Sequence, residues 1–160
     1  MEKIVKTNVA IFAAGCFWHV EEIFSKIPGI VNTEAGYTGG VTEAPSYEQV
    51  SSGRTGRTEA IQIMFDPKKV TYEELLNVFW KLHDPTTPDR QGADIGTNYR
   101  SAIFYNSLAQ KKAAEKSKLM IQKKYDKPIV TEISKAGKFY PAEEYHQKYF
   151  EKHNELSCRI

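Results

Sequence analysis

The chain has 160 residues, enough for a domain with its own core and no need of metal or disulfide staples. An apolar share of 41%, a charged share of 26% and a net charge of +2 are ordinary soluble usage, and the near-neutral balance argues against nucleic acid as the main target. No run approaches the ~20 apolar residues of a membrane helix, and no secretory signal pattern opens the chain, so it reads as cytoplasmic with no membrane partner.

The first element is the nearly unbroken apolar run Asn8 to Ala14, which predicts a central strand covered on both faces. It breaks at Gly15-Cys16. A helix is expected over Trp18 to Ile27, stopped by Pro28-Gly29. Val31 to Tyr37 reads as a strand ending in Thr38-Gly39-Gly40, and Tyr47 is placed on a short helical turn within a polar loop. Thr58 to Phe65 alternates as a strand does. Thr71-Tyr72-Glu73-Glu74 is a capping box that opens a helix carrying Leu75, Leu76, Phe79 and Leu82 at helical spacing.

Residues 83–98 read as a long loop rich in Pro, Gly, Asp and Thr, a kind of loop that is usually functional or disordered. Strands follow over Tyr99 to Tyr105 and Ile129 to Ser134, separated by a lysine-rich helix capped by Ser107. Pro141, with Glu143 and Glu144 in its first turn, is expected to start a final helix. There is no repeat and no linker, so 1–160 reads as a single domain. The element order favours α+β: a two-layer, ferredoxin-like plait with a central mixed sheet and flanking helices. A doubly wound parallel sheet is the rival.

Chemistry-bearing residues are few. Cys16 and Cys158 are the only cysteines, too few for a secreted disulfide scaffold, and with four scattered histidines they form no metal-ligand spacing. Neither a metal nor a cofactor is expected. Cys16 stands where a buried strand yields to a helix, facing unpaired N–H groups and the positive end of the helix dipole. That setting favours thiolate and lowers the pKa from ~8.5. A buried cysteine acting as a small hydrophobe fits the same place.

Phe17 and Trp18 are either core aromatics or an apolar pocket beside a reactive sulfur. Glu59 shares a strand face with Ile61, Ile63 and Phe65. A carboxyl group there is desolvated, stays protonated near neutrality and can donate a proton; a strand-end glutamate turned to solvent is the alternative. Tyr47 and Tyr99 are flanked by polar loop residues. Lysines 111, 112, 116, 118, 123 and 124 need no partner beyond water. No phosphate loop, nucleophile elbow or dinucleotide fingerprint is present.

Several segments stand in a telling order: Gly15-Cys16-Phe17-Trp18, Gly36-Tyr37-Thr38-Gly39-Gly40, Ser46-Tyr47-Glu48-Gln49-Val50, Gly56-Arg57-Thr58-Glu59-Ala60, His83-Asp84-Pro85, and the run from Arg90-Gln91-Gly92-Ala93-Asp94 to Tyr99-Arg100-Ser101. Together they resemble the A-type peptide methionine sulfoxide reductases, from about Val9 to Tyr149. The resemblance implies an α+β plait, reduction of the S epimer of methionine sulfoxide, free or in oxidised proteins, and turnover by thioredoxin or a similar thiol reductant.

It makes Cys16 the nucleophile, Phe17 and Trp18 the pocket for the substrate methyl, and Glu59 the acid that protonates the sulfoxide oxygen. The hydroxyls of Tyr47 and Tyr99 become further donors, and Asp94 orients the substrate. Cys158, the other thiol, is the candidate resolving cysteine. Three positions depart from the familiar pattern: His19 for glycine, Asn98 for glutamine, and a C-terminus without glycines around Cys158. Other readings are a different thiol oxidoreductase, such as a peroxide-reducing peroxidase, and a non-catalytic module binding methionine-rich peptides.

Overall fold

The computed structural model describes residues 7–38, 58–91, 94–95 and 99–143, with backbone only at 90, 94 and 95. The elements are β1 (Asn8–Ala14), α1 (Phe17–Ser25), β2 (Ile30–Thr38), β3 (Thr58–Phe65), α2 (Tyr72–Lys81), β4 (Arg90–Gln91), β5 (Asp94–Ile95), β6 (Ser101–Tyr105), α3 (Leu108–Gln122), β7 (Glu132–Lys135) and β8 (Tyr140–Pro141). The fold is α+β: a six-stranded mixed sheet in the order β7-β6-β1-β3-β2-β8, with β4 and β5 forming a separate small hairpin. Among the described residues only the β6–β7 pair is parallel; β1 lies antiparallel to both β3 and β6.

As its apolar run predicts, β1 is covered on both faces, with Ala10 to Ala14 all buried. Period two splits it. Ala10, Phe12 and Ala14 join the larger core cluster, to which all three described helices contribute through Phe17, Val20 and Phe24 of α1, Leu75, Leu76 and Phe79 of α2, and Ala114 of α3. Ile11 and Ala13 join a smaller cluster with Ala60, Ala102 and Phe104 on the opposite face.

Helix starts follow local chemistry. Thr71 Oγ1 accepts from the Glu74 N–H at 3.1 Å, and Ser107 Oγ accepts from the Gln110 N–H at 3.2 Å, each satisfying an otherwise orphaned donor. Trp80 Nε1 donates to Ser117 Oγ at 3.0 Å and so ties α2 to α3. Buried Thr33 on β2 donates to Glu21 Oε2 on α1 at 3.0 Å and fastens that helix to the sheet. None of the described helices is long and apolar enough to cross a membrane.

Three expectations are corrected. The segment from His83 is not a structureless loop: its turns lead into the β4–β5 hairpin, and the Val130 N–H donates to the Pro85 carbonyl at 2.8 Å. Pro141 starts no helix. It lies in β8, paired with Gly36 beside the sheet edge, a place where proline's missing N–H costs no ladder bond. The strand expected from Ile129 begins only at Glu132, because the Ile129 N–H is taken by the Gln122 side chain at 2.8 Å. The helical turn expected around Tyr47 lies outside the described residues.

Candidate active site

Four strand ends meet at one end of the sheet. Tyr37 of β2 pairs with Glu59 of β3, and Ala14 of β1 pairs with Ser101 of β6. Continuing the β1–β3 register beyond Phe12↔Ile61 sets Ala14 level with Glu59. Tyr37, Glu59, Ala14 and Ser101 therefore form a row across the sheet. The chain leaves β1 just above that row through Gly15 and enters α1 at Cys16.

Gly15 has φ +95°, a backbone conformation that costs glycine nothing and other residues much. The turn lets Cys16 occupy the N-cap of α1 with extended backbone angles, φ −61° and ψ 120°. Its carbonyl accepts from the Val20 N–H at 3.3 Å. The residue is 7% exposed, and its side chain makes no capping hydrogen bond to the helix. The thiol thus stands at the positive end of α1, whose first turn carries no acidic residue.

Glu59 is 1% exposed on the helix-covered face of the sheet, as its alternation with Ile61 and Ile63 predicts. The Phe17 N–H donates to Glu59 Oε1 at 3.4 Å. That bond is at the long limit of hydrogen bonding. The carboxyl group therefore sits directly under the first turn of α1, one residue from the sulfur.

Phe17 is fully buried and its ring tilts against Tyr37, 5.7 Å between centroids, while Trp18 is half-buried at the rim of the core. Tyr37 donates its hydroxyl to Glu143 Oε2 at 2.8 Å. His19, half-buried, is held below its ordinary pKa of 6.5 by burial, against the pull of Glu22, so it is neutral near pH 7.

Asp94 lies in β5, its backbone opposite Gln91. Tyr99 is partly buried just before β6, at the end of the sheet where Cys16 stands. Tyr47 and Cys158 lie outside the described residues. Two residues beside the site went unnoticed as contributors in the sequence reading. Tyr37 backs Phe17, and Gln91 presses on Gly15; both stand in the segments that carry the family resemblance, but only the pairing register and the packing give them these places. A groove of about 500 Å3 between the starts of α2 and α3, lined by Asn8, Phe65 and Tyr72 among others, lies at the opposite end of β1 and contains none of these residues. Among the described residues no group of three or more His, Cys, Asp and Glu could hold a metal ion.

A buried thiol at a helix start above a buried carboxyl group is a setting for acid-assisted nucleophilic chemistry. The family model described as peptide methionine sulfoxide reductase matches residues 8–160. The chain belongs to this family. Peptide methionine sulfoxide reductase MsrA of Methanococcoides burtonii is 56% identical over 145 residues, 89% of this chain and 95% of that protein. Among solved structures, reduced Mxr1 from Saccharomyces cerevisiae superposes with a TM-score of 0.91 at 37% identity, over 99% of this chain and 92% of that one. Mxr1 solved in complex with Trx2 gives a TM-score of 0.66 at 28% identity, over 93% of this chain and 88% of that one.

Proposed function

We propose that this reductase is a single catalytic domain over 1–160 that reduces methionine (S)-sulfoxide, free or in oxidised proteins, to methionine in the cytoplasm at the expense of thiols. One observation carries the assignment of roles: Cys16 stands at the N-terminus of α1 with the desolvated Glu59 carboxyl group bonded to the next residue's N–H. The β1-α1-β2-β3-α2-β6 order, with those strands arranged β6-β1-β3-β2, supports a ferredoxin-like plait extended at both edges by β7 and β8.

In this mechanism the Cys16 thiolate attacks the sulfoxide sulfur while Glu59 delivers a proton to the oxygen. The oxygen passes to Cys16, which becomes a sulfenic acid as the sulfoxide is reduced by two electrons to the thioether. Phe17 and Trp18 hold the methyl group. Tyr47 and Tyr99 donate further hydrogen bonds to the oxygen, and Asp94 orients the substrate. A second thiol, Cys158, condenses with the sulfenic acid and releases water, and a dithiol protein reduces the disulfide. A thioredoxin is the favoured reductant because the related Mxr1 is known in complex with Trx2.

The test is thiol-dependent turnover of the separated sulfoxide epimers, with hydrogen peroxide as the competing oxidant. The parent should consume the S epimer alone and be slow with peroxide. Cys16→Ser should be inactive, and Glu59→Gln should lose ~100-fold to 10,000-fold in kcat, the usual contribution of a positioned acid. Full activity of Cys16→Ser overturns the assignment, and preference for peroxide moves the chain to a different thiol chemistry.

A further inference from the structure

We propose that Gln91 is a positioning residue for Cys16, clamping the nucleophile's turn against a separately anchored loop. This rests on the reading of Cys16 as nucleophile. Gln91 is fully buried, yet it carries a polar amide, and both ends of that amide are used by one residue. The Asp84 N–H donates to its Oε1 at 3.0 Å, and its Nε2 donates to the Asp84 carbonyl at 2.6 Å and to Thr87 Oγ1 at 3.3 Å. A donor and an acceptor on the same residue leave the amide a single orientation.

The loop it grips is itself fixed. Asp84 Oδ1 accepts from the Thr86 N–H at 2.9 Å and from Thr86 Oγ1 at 2.6 Å, and the Pro85 carbonyl accepts from the Val130 N–H at 2.8 Å. The aliphatic stem of Gln91 points the other way. A Cβ placed on Gly15 would lie 2.9 Å from Gln91 Cβ and 3.0 Å from Cγ, so the stem lies hard against the Gly15 backbone.

Gly15, at φ +95°, is the joint through which Cys16 reaches the helix start, and a glycine joint has more freedom than any other. The Gln91 stem closes one side of it. The backbone of Gln91 also pairs with Asp94, so one residue sets the sulfur's turn relative to the hairpin that carries the substrate-orienting carboxylate. A displacement of ~1 Å in such a constellation costs about 100-fold in rate.

The experiment compares the parent with Gln91→Ala, Gln91→Glu and Cys16→Ser, reading kcat and KM for the S epimer and, separately, the pH dependence of Cys16 alkylation by iodoacetamide. Gln91→Ala should lose about 10-fold to 100-fold in kcat with KM little changed, the scale expected of lost alignment. Its alkylation midpoint should rise as the sulfur leaves the helix start. Gln91→Glu keeps the stem and, while its buried carboxyl group is protonated, both bonds to Asp84. Its kcat relative to the parent should therefore be close to one at acidic pH and fall as pH rises.

A parent-like kcat and alkylation profile in Gln91→Ala overturns the proposal. So does a rate loss that follows only the unfolded fraction, with the alkylation midpoint of the folded protein unmoved. If Gln91→Ala does not fold, the pH-dependent ratio of Gln91→Glu decides alone, a flat ratio being the negative result. An active Cys16→Ser condemns the nucleophile assignment instead, while alkylation still reports whether Gln91 holds the turn.

Discussion

His83 shows how much a single buried side chain can govern. Its Nδ1 lies 2.7 Å from the Phe79 carbonyl, which only accepts, so Nδ1 carries the proton and Nε2 accepts from Ser101 Oγ at 2.7 Å. Ser101 in turn accepts from Thr131 Oγ1 at 2.7 Å. The neutral ring therefore links α2, β6 and the approach to β7. Burial pulls its pKa from 6.5 down to about 4, against the opposing pull of the Phe79 carbonyl and the Asp84 charge. The folded pKa lies below the unfolded one, so the unfolded chain binds the extra proton between them. The His83 contribution is complete above pH 6.5 and is lost as pH falls toward about 4.

We expect roughly 2 kcal/mol less stability at about pH 5 than at neutrality from this group. Urea unfolding of parent and His83→Gln should show it as a steeper acid dependence in the parent; identical slopes would refute it. At this scale the sequence speaks unevenly. Glu59 was legible because alternation alone sets it among Ile61, Ile63 and Phe65. The burial of Gln91 was not, because it depends on contact with Gly15, far away along the chain.

Elements are written more plainly where their signals are local. Thr71 and Ser107 are both recognisable as caps and both cap. Replacing either with alanine should cost about 1 kcal/mol, seen as a lower urea midpoint, with turnover of the S epimer unchanged because both caps lie away from Cys16. A loss of turnover by the folded variants would show that the helix starts reach the site. Pro141 was misread because proline followed by acidic residues suits a helix start as well as an edge strand. What selects the strand is non-local: Gly36 has no side chain, and a Cβ there would collide with the Phe139 ring and the Tyr140 carbonyl, so only glycine lets β8 approach β2. The Gln122 side chain shortens β7 in the same non-local way, through an N–H that local propensity leaves free.

For the molecule as a whole, the sheet order is set by pairings between distant segments, which periodicity cannot supply. The apolar run says that β1 is buried, but not that β3 and β6 flank it. Once they do, Phe12 becomes the centre of the larger core. Its ring stacks with Phe24 of α1 at 5.4 Å, Tyr72 at the start of α2 at 5.9 Å and Phe79 later in α2 at 5.2 Å. One side chain from the central strand thus joins both helices that cover it. The opposite face offers Ile11 a smaller group of neighbours.

Truncating Phe12 to alanine should therefore cost about 3 to 5 kcal/mol, the range for an aromatic ring whose cavity cannot collapse. That is a large part of the 5 to 15 kcal/mol that holds a typical domain together. Ile11→Ala should cost less, toward the low end of the about 2 to 5 kcal/mol typical of such a truncation. Urea unfolding of the two variants decides the matter, with the slope against denaturant expected to stay constant. If Ile11→Ala is the more damaging, the smaller face of the sheet is the true centre of stability, and the helices are held chiefly by contacts such as Thr33–Glu21 and Trp80–Ser117.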